Sequence, residues 1–174
     1  LLGAKYYAEN PLYPLDHTLA DINIDIVNPW GKTHDVEDIS AGNSTLDEMF
    51  ARAAAAQGRV AKPNSEPEKG SFFRADHFEL SKLGVPSLYP GSKAKDFVGK
   101  PAGFGQRASD DYTLHHYHQV SDEVNPSWDL SGAVQDDQLL FSVGWQVAND
   151  NQYPTWLPGS EFKAKRDVMM AGKK

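Results

Sequence analysis

The chain of 174 residues contains no cysteine. That excludes disulfides and thiolate metal sites, zinc fingers among them, and leaves histidine and carboxylate as the only strong metal ligands. It has no excess of positive charge either: 17 basic residues stand against 24 acidic ones, a formal net charge of −7. No stripe of Lys and Arg interleaves with aromatics, so nucleic acid and anionic membrane surfaces are excluded as partners. No apolar run approaches the roughly 18 residues of a membrane span, and no signal peptide is legible. There is no internal repeat and no initiator methionine. Leu1-Leu2-Gly3-Ala4-Lys5-Tyr6-Tyr7 opens in mid-pattern and reads as part of a longer protein.

What remains is ordinary globular composition, 40% hydrophobic and 24% charged, with length enough for one domain and its core. Residues 1–9 carry a short helical pattern, stopped by Asn10-Pro11. Leu19 to Val27 is the clearest strand, with Ile22, Ile24 and Ile26 on one face and Asp21, Asn23 and Asp25 on the other. Lys32 to Asn43 reads as a polar loop. Thr45 and Glu48 form a capping box for a helix that runs through an alanine-rich stretch to Gly58. A short strand is expected near Val60, and a loop from Pro63 to Gly70. Phe72 to Leu80 leads into a short helix ending at Gly84, for which Asp76 has the chemistry of a cap. Val85 to Tyr89 reads as a buried strand, Lys93 to Asp111 as a long surface loop, and Trp128 to Asn149 as an amphipathic helix. Residues 1–150 are expected to form the folded part, and 151–174 an irregular tail whose basic residues (Lys163, Lys165, Arg166, Lys173 and Lys174) are solvated.

The stretch Tyr112 to Glu123, YTLHHYHQVSDE, holds three of the six histidines. In an extended segment His116 and His118 share a face and His115 points away. Imidazole is the commonest metal ligand, and a neighbouring carboxylate can fix its tautomer. On spacing alone a solvated histidine loop is the favoured reading. Asp25, near the end of an apolar strand, is placed where ligand sites of α/β sheets gather.

Four segments taken in order, LLGAKYY, INIDIVNPWG, ADHFELSKLGVPSLY and YHQVSDE, resemble the C-terminal half of the di-zinc aminopeptidase family, which also includes transferrin-receptor-like proteins and glutaminyl cyclases. The resemblance implies an α/β fold of three layers, a mixed central sheet flanked by helices. It implies Asp25 and His118 as zinc ligands, His118 lying in a Tyr-His pair (Tyr117-His118) four residues before Asp122. Asp76 and His77 would shape the pocket; Phe72 and Phe73 stand where some members carry an oxyanion-stabilising tyrosine, with Arg74 as a substitute electrophile. Two zinc ions about 3.5–4 Å apart would activate a bridging water in the complete parent protein. The family's other ligands and its Glu base precede Leu1, so no catalytic residue is assigned to this chain, and zinc binding by it alone should be weak or absent.

The implied function is removal of N-terminal residues from peptide substrates, in a secreted or periplasmic setting that the resemblance alone favours. The alternative is a non-catalytic binding or scaffold module on the same fold. A sheet shared with a preceding half would leave Leu19 to Val27 as an open edge, closed by that half or by self-association.

Overall fold

The computed structural model describes residues 1–91 and 93–172. Lys173 and Lys174, read above as solvated, lie outside the described residues. The elements in chain order are α1 (Leu2–Glu9), β1 (Asp21–Ile22), β2 (Asp35–Asp38), α2 (Leu46–Ala56), β3 (Val60–Pro63), α3 (His77–Ser81), β4 (Ser87–Leu88), β5 (Pro90–Gly91), α4 (Phe104–His115), α5 (Ser131–Asn149) and α6 (Lys163–Ala171). Mixed sheets flanked by helices make this an α/β fold.

The strands form two small sheets. β1 pairs parallel with β4, whereas β2 pairs parallel with β3 and antiparallel with β5. Tyr89, the one residue between β4 and β5, joins them. Its carbonyl accepts from Ile39 N–H at 2.9 Å and its N–H donates to Ser40 Oγ at 3.0 Å. The β2–α2–β3 unit is a parallel crossover, and its helix supplies the largest share of the main core. Leu46, Met49, Phe50, Ala53 and Ala54 of α2 pack with Leu139, Leu140, Val143 and Val147 of α5, over Val36 and Leu88. Ile39, three residues beyond Val36, packs instead into a smaller cluster with Phe72, Phe78, Trp156 and Phe162. Odd spacing along extended chain puts these two residues on opposite faces, so apolar layers cover the strands on both sides.

Several expectations are overturned. Lys32 to Asn43 is no loop: β2 runs through it with all four residues buried. Its carboxylates are tolerated because each is bonded. Asp35 accepts from the Lys95 and Asp96 amides and from Lys62 Nζ, and Asp38 Oδ1 accepts from Ser40 N and Oγ. Conversely, the isoleucine-rich strand shrinks to Asp21–Ile22. The Asn23 amide still reaches Leu88 O, but nothing among the described residues pairs with the outer edge, and Ile24, Ile26 and Val27 are exposed.

The capping box does not form, because Thr45 is itself helical in φ and ψ and makes no cap bond. Its hydroxyl accepts from Thr155 N–H, and Ser44 Oγ takes the Leu46 amide. Asp76 likewise makes no side-chain cap and pairs with the Leu1 amino group at 3.2 Å. The Lys93–Asp111 loop contains most of α4, whose Gly105 sits so close to Ala94 O that a Cβ would lie 2.4 Å away. The tail is structured too. Trp156 is buried with its Nε1 on Gly84 O at 2.9 Å, and α6 buries Arg166, which donates to the carbonyls of Leu15 and Thr18. Arg166 is therefore not a solvated tail residue.

One close approach fixes the loop after β1. Asn28 is buried, donates from Nδ2 to Gly31 O at 2.8 Å and accepts from Trp30 N–H at 3.0 Å. Gly132, in the first turn of α5, lies directly against this loop; a Cβ there would stand 2.2 Å from Gly31 O and 2.4 Å from Asn28 Nδ2.

Candidate active-site cleft

A cleft of about 440 Å³ opens beyond the parallel pair β1 and β4. Its lining includes Asp25 and Trp30 from the segment after β1, Glu37 and Ile39 from β2 and just beyond, and Tyr89 after β4. Glu66, Lys69 and Arg74 come from the chain after β3, Lys93 follows β5, and Tyr112, Tyr117, Asp122 and Trp128 belong to α4 and the segment after it.

Asp25 is oriented by its neighbour. The Tyr89 hydroxyl donates to Asp25 Oδ2 at 3.2 Å, and Oδ1 carries no hydrogen bond among the described residues. Burial, with the Asp25 charge added, pushes the Tyr89 phenol well above its usual range, so it stays a donor. Behind Tyr89 lies His77, its ring 4.5 Å from Tyr89 and 4.7 Å from Phe72. Burial pulls this imidazole down to about 4, against the raising influence of the nearby Phe72 backbone, so it is neutral at physiological pH.

The other acidic groups are also held. Glu37 Oε1 accepts from Ser65 N and Oγ at 2.9 and 3.0 Å. Glu66 is gripped by Lys69, at 2.7 Å, and by Lys93, and these hydrogen bonds lower it to about 2. Asp122 Oδ2 accepts from the Tyr112 hydroxyl at 2.9 Å, tying the segment after α4 back to that helix.

The histidine stretch is not extended. His115 closes α4 and pairs with Asp111, four residues back, at 3.0 Å; His116 caps the helix and bonds Ser121 O. The alternation that put His116 and His118 on one face therefore does not apply. His118 has φ +60, the only non-glycine in that region among the described residues, and its ring stacks on Tyr117 at 3.9 Å. Such a conformation costs of order 1–3 kcal/mol and concentrates at functional sites, although histidine tolerates it better than most residues.

Of the residues singled out from sequence, Asp25, Arg74, Tyr117 and Asp122 line the cleft. His77 supports it from behind, Phe72 lines a second, neighbouring pocket, and Asp76 lies outside at the surface. His118 is adjacent through Tyr117 but is not among the lining residues. Sequence reading missed Glu37, Tyr89 and Tyr112. The terminal tyrosine of a buried strand was the one available signal, since strand ends aim side chains at such crevices.

Fold and cleft together define an α/β domain with a carboxylate- and aromatic-lined pocket at its parallel strand ends. The model of peptidase family M28 matches residues 1–142, and the chain belongs to this family as part of its metallopeptidase domain. No curated protein and no solved structure matches the chain.

Proposed function

We propose that the chain forms the substrate-facing part of a zinc-dependent exopeptidase that releases N-terminal residues from peptides. In this reading Asp25 and His118 each give one ligand to a zinc centre completed by residues outside the chain. Asp25 carries the proposal: it is a carboxylate just beyond a parallel strand of a family M28 domain, lining the cleft, with one oxygen bonded by Tyr89 and the other making no hydrogen bond among the described residues. Carboxylate oxygen and imidazole nitrogen are apt zinc donors, but a usual catalytic centre takes three protein ligands. Among the described residues no group of three or more His, Cys, Asp or Glu could hold a metal. In this reading residues beyond this chain complete the centre. The chain's own residues hold the peptide against Trp30, Tyr117 and Trp128 and keep Asp25 in one orientation.

The same reading assigns a partner to the outer edge of β1. The Asp21 and Asn23 amides bond to β4, which leaves those of Ile22 and Ile24 facing outward. A further strand of the same protein, or a second copy, would cover this edge and the exposed Phe141 and Trp145 of α5.

In the intact protein, His118→Ala should lower zinc affinity more than about tenfold and abolish release of nitroaniline from aminoacyl-nitroanilides, while His115→Ala should change neither. Metal-dependent turnover that survives His118→Ala would sink the ligand assignment. Absence of both zinc binding and turnover in the parent protein would favour the scaffold reading.

A further inference from the structure

The cleft is lined by three cations, Lys69, Arg74 and Lys93, all contributed by the chain between β3 and α4. Two of them share a single carboxylate, Glu66. The third, Arg74, is exposed in the cleft and has no hydrogen-bond or ion-pair partner among the described residues. None of the lining acids pairs with it among the described residues: Glu37 is bonded by Ser65, Asp122 by Tyr112, and Asp25 by Tyr89. Arg74 is therefore the one lining cation left without a partner among the described residues, in a chain whose net charge is −7. Arg74 directly follows buried Phe72 and half-exposed Phe73, whose rings pack edge to face at 5.4 Å, so its backbone is anchored while its guanidinium faces the pocket.

We propose that Arg74, backed by Lys69 and Lys93, is a subsite for a carboxylate of the substrate, so that the cleft selects peptides presenting that group. A planar guanidinium suits a carboxylate because it can donate two parallel hydrogen bonds. The carboxylate comes either from the C-terminus of a very short peptide or from an Asp or Glu side chain. This inference rests on the peptidase reading for its substrate class, but binding can be measured without turnover.

The test is calorimetry on the intact protein after chelator treatment, with Ala-Ala, its C-terminal amide, and Ala-Asp amide as probes. Ala-Ala binding at least tenfold tighter than its amide would place the peptide terminus at Arg74. Preference for Ala-Asp amide over Ala-Ala amide would place a side-chain carboxylate there. In either case Arg74→Gln should erase the preference, Arg74→Lys should restore part of it, and Ala-Ala amide should bind all three proteins alike. Equal binding of the three peptides to the parent protein, or a preference unchanged by Arg74→Gln, overturns the proposal. Arg74 is exposed, and an unchanged far-ultraviolet circular dichroism spectrum confirms that the variants fold. A carboxylate preference that depends on Arg74 in a protein that, loaded with zinc, hydrolyses no peptide would keep the subsite and remove the peptidase reading.

Discussion

Two stretches of this chain exchange the roles their residues suggest. Asp21 to Val27 alternates isoleucine with polar residues and has every local feature of a strand, yet only two residues pair, and of its isoleucines Ile22 alone packs on the core while Ile24 and Ile26 are exposed. Asp35 to Asp38 holds three carboxylates and one valine, yet it is the fully buried central strand between β3 and β5. Partners decide the difference. β2 has a neighbour on each edge and a donor for each acid, whereas β1 has a neighbour on one edge alone. Strand propensity measures how well a side chain suits a pleated, half-buried surface, and that surface is supplied by the rest of the fold.

The largest effect expected from this contrast is at Asp35. Asp35→Ala removes the buried carboxylate that the Lys95 and Asp96 amides and Lys62 share, and should cost about 3 kcal/mol in urea unfolding. A loss below about 1 kcal/mol would mean that the acids of β2 do not hold it in place.

A middle-sized effect is expected at Asp38. Burial is the main cause that raises its carboxyl from 3.8 to about 7, against the lowering bonds from Ser40. A raised acid favours the fold in its protonated form, so this contribution is complete below about pH 4 and is lost as pH rises toward 7. Asp38→Asn retains the Oδ1 acceptor and has no proton to lose. Its stability should therefore fall less than the parent's between pH 4 and 7, and parallel pH curves would refute this account. Asp21, raised to about 6 by burial and by Asp76, slopes the same way in both proteins and cancels in the comparison.

The smallest effect should come from the stretch that looks most like a strand. With β1 uncovered, Ile24→Thr should alter stability by no more than about 0.5 kcal/mol. A cost above about 2 kcal/mol in the intact protein would show this edge to be covered there, as the proposed strand partner requires. Light scattering on the 174-residue chain bears on the same point, since an open edge beside exposed Phe141 and Trp145 should drive association.

Sequence alone made α1, α2, β3, the buried strand at β4 and the long α5 legible, because each carries its own periodicity or punctuation. It misjudged elements whose stability is borrowed. α4 begins with Phe-Gly-Gln-Arg and has no clear apolar stripe, but it is seated by the contact between Gly105 and the 94–97 segment. α6 is fastened by Arg166 to carbonyls about 150 residues earlier in the chain, a distance no local pattern encodes. At the cleft, Asp25, Arg74, Tyr117 and Asp122 were found through resemblance. Glu37 acts through a partner distant in sequence and left no local trace, and the only local sign of Tyr89 was its place at the end of a buried strand.

Gly132 bears on anyone who would engineer this protein. Replacing a helical glycine by alanine usually gains up to about 1 kcal/mol, so position 132 is among the first a stabilisation screen would select. Here the new methyl group would press on Gly31 O and Asn28 Nδ2, the two atoms that close the loop carrying Trp30 into the cleft. A change chosen to strengthen α5 would spread that loop and shift one wall of the pocket. Improvement of the helix and preservation of the cleft are opposed at this one residue.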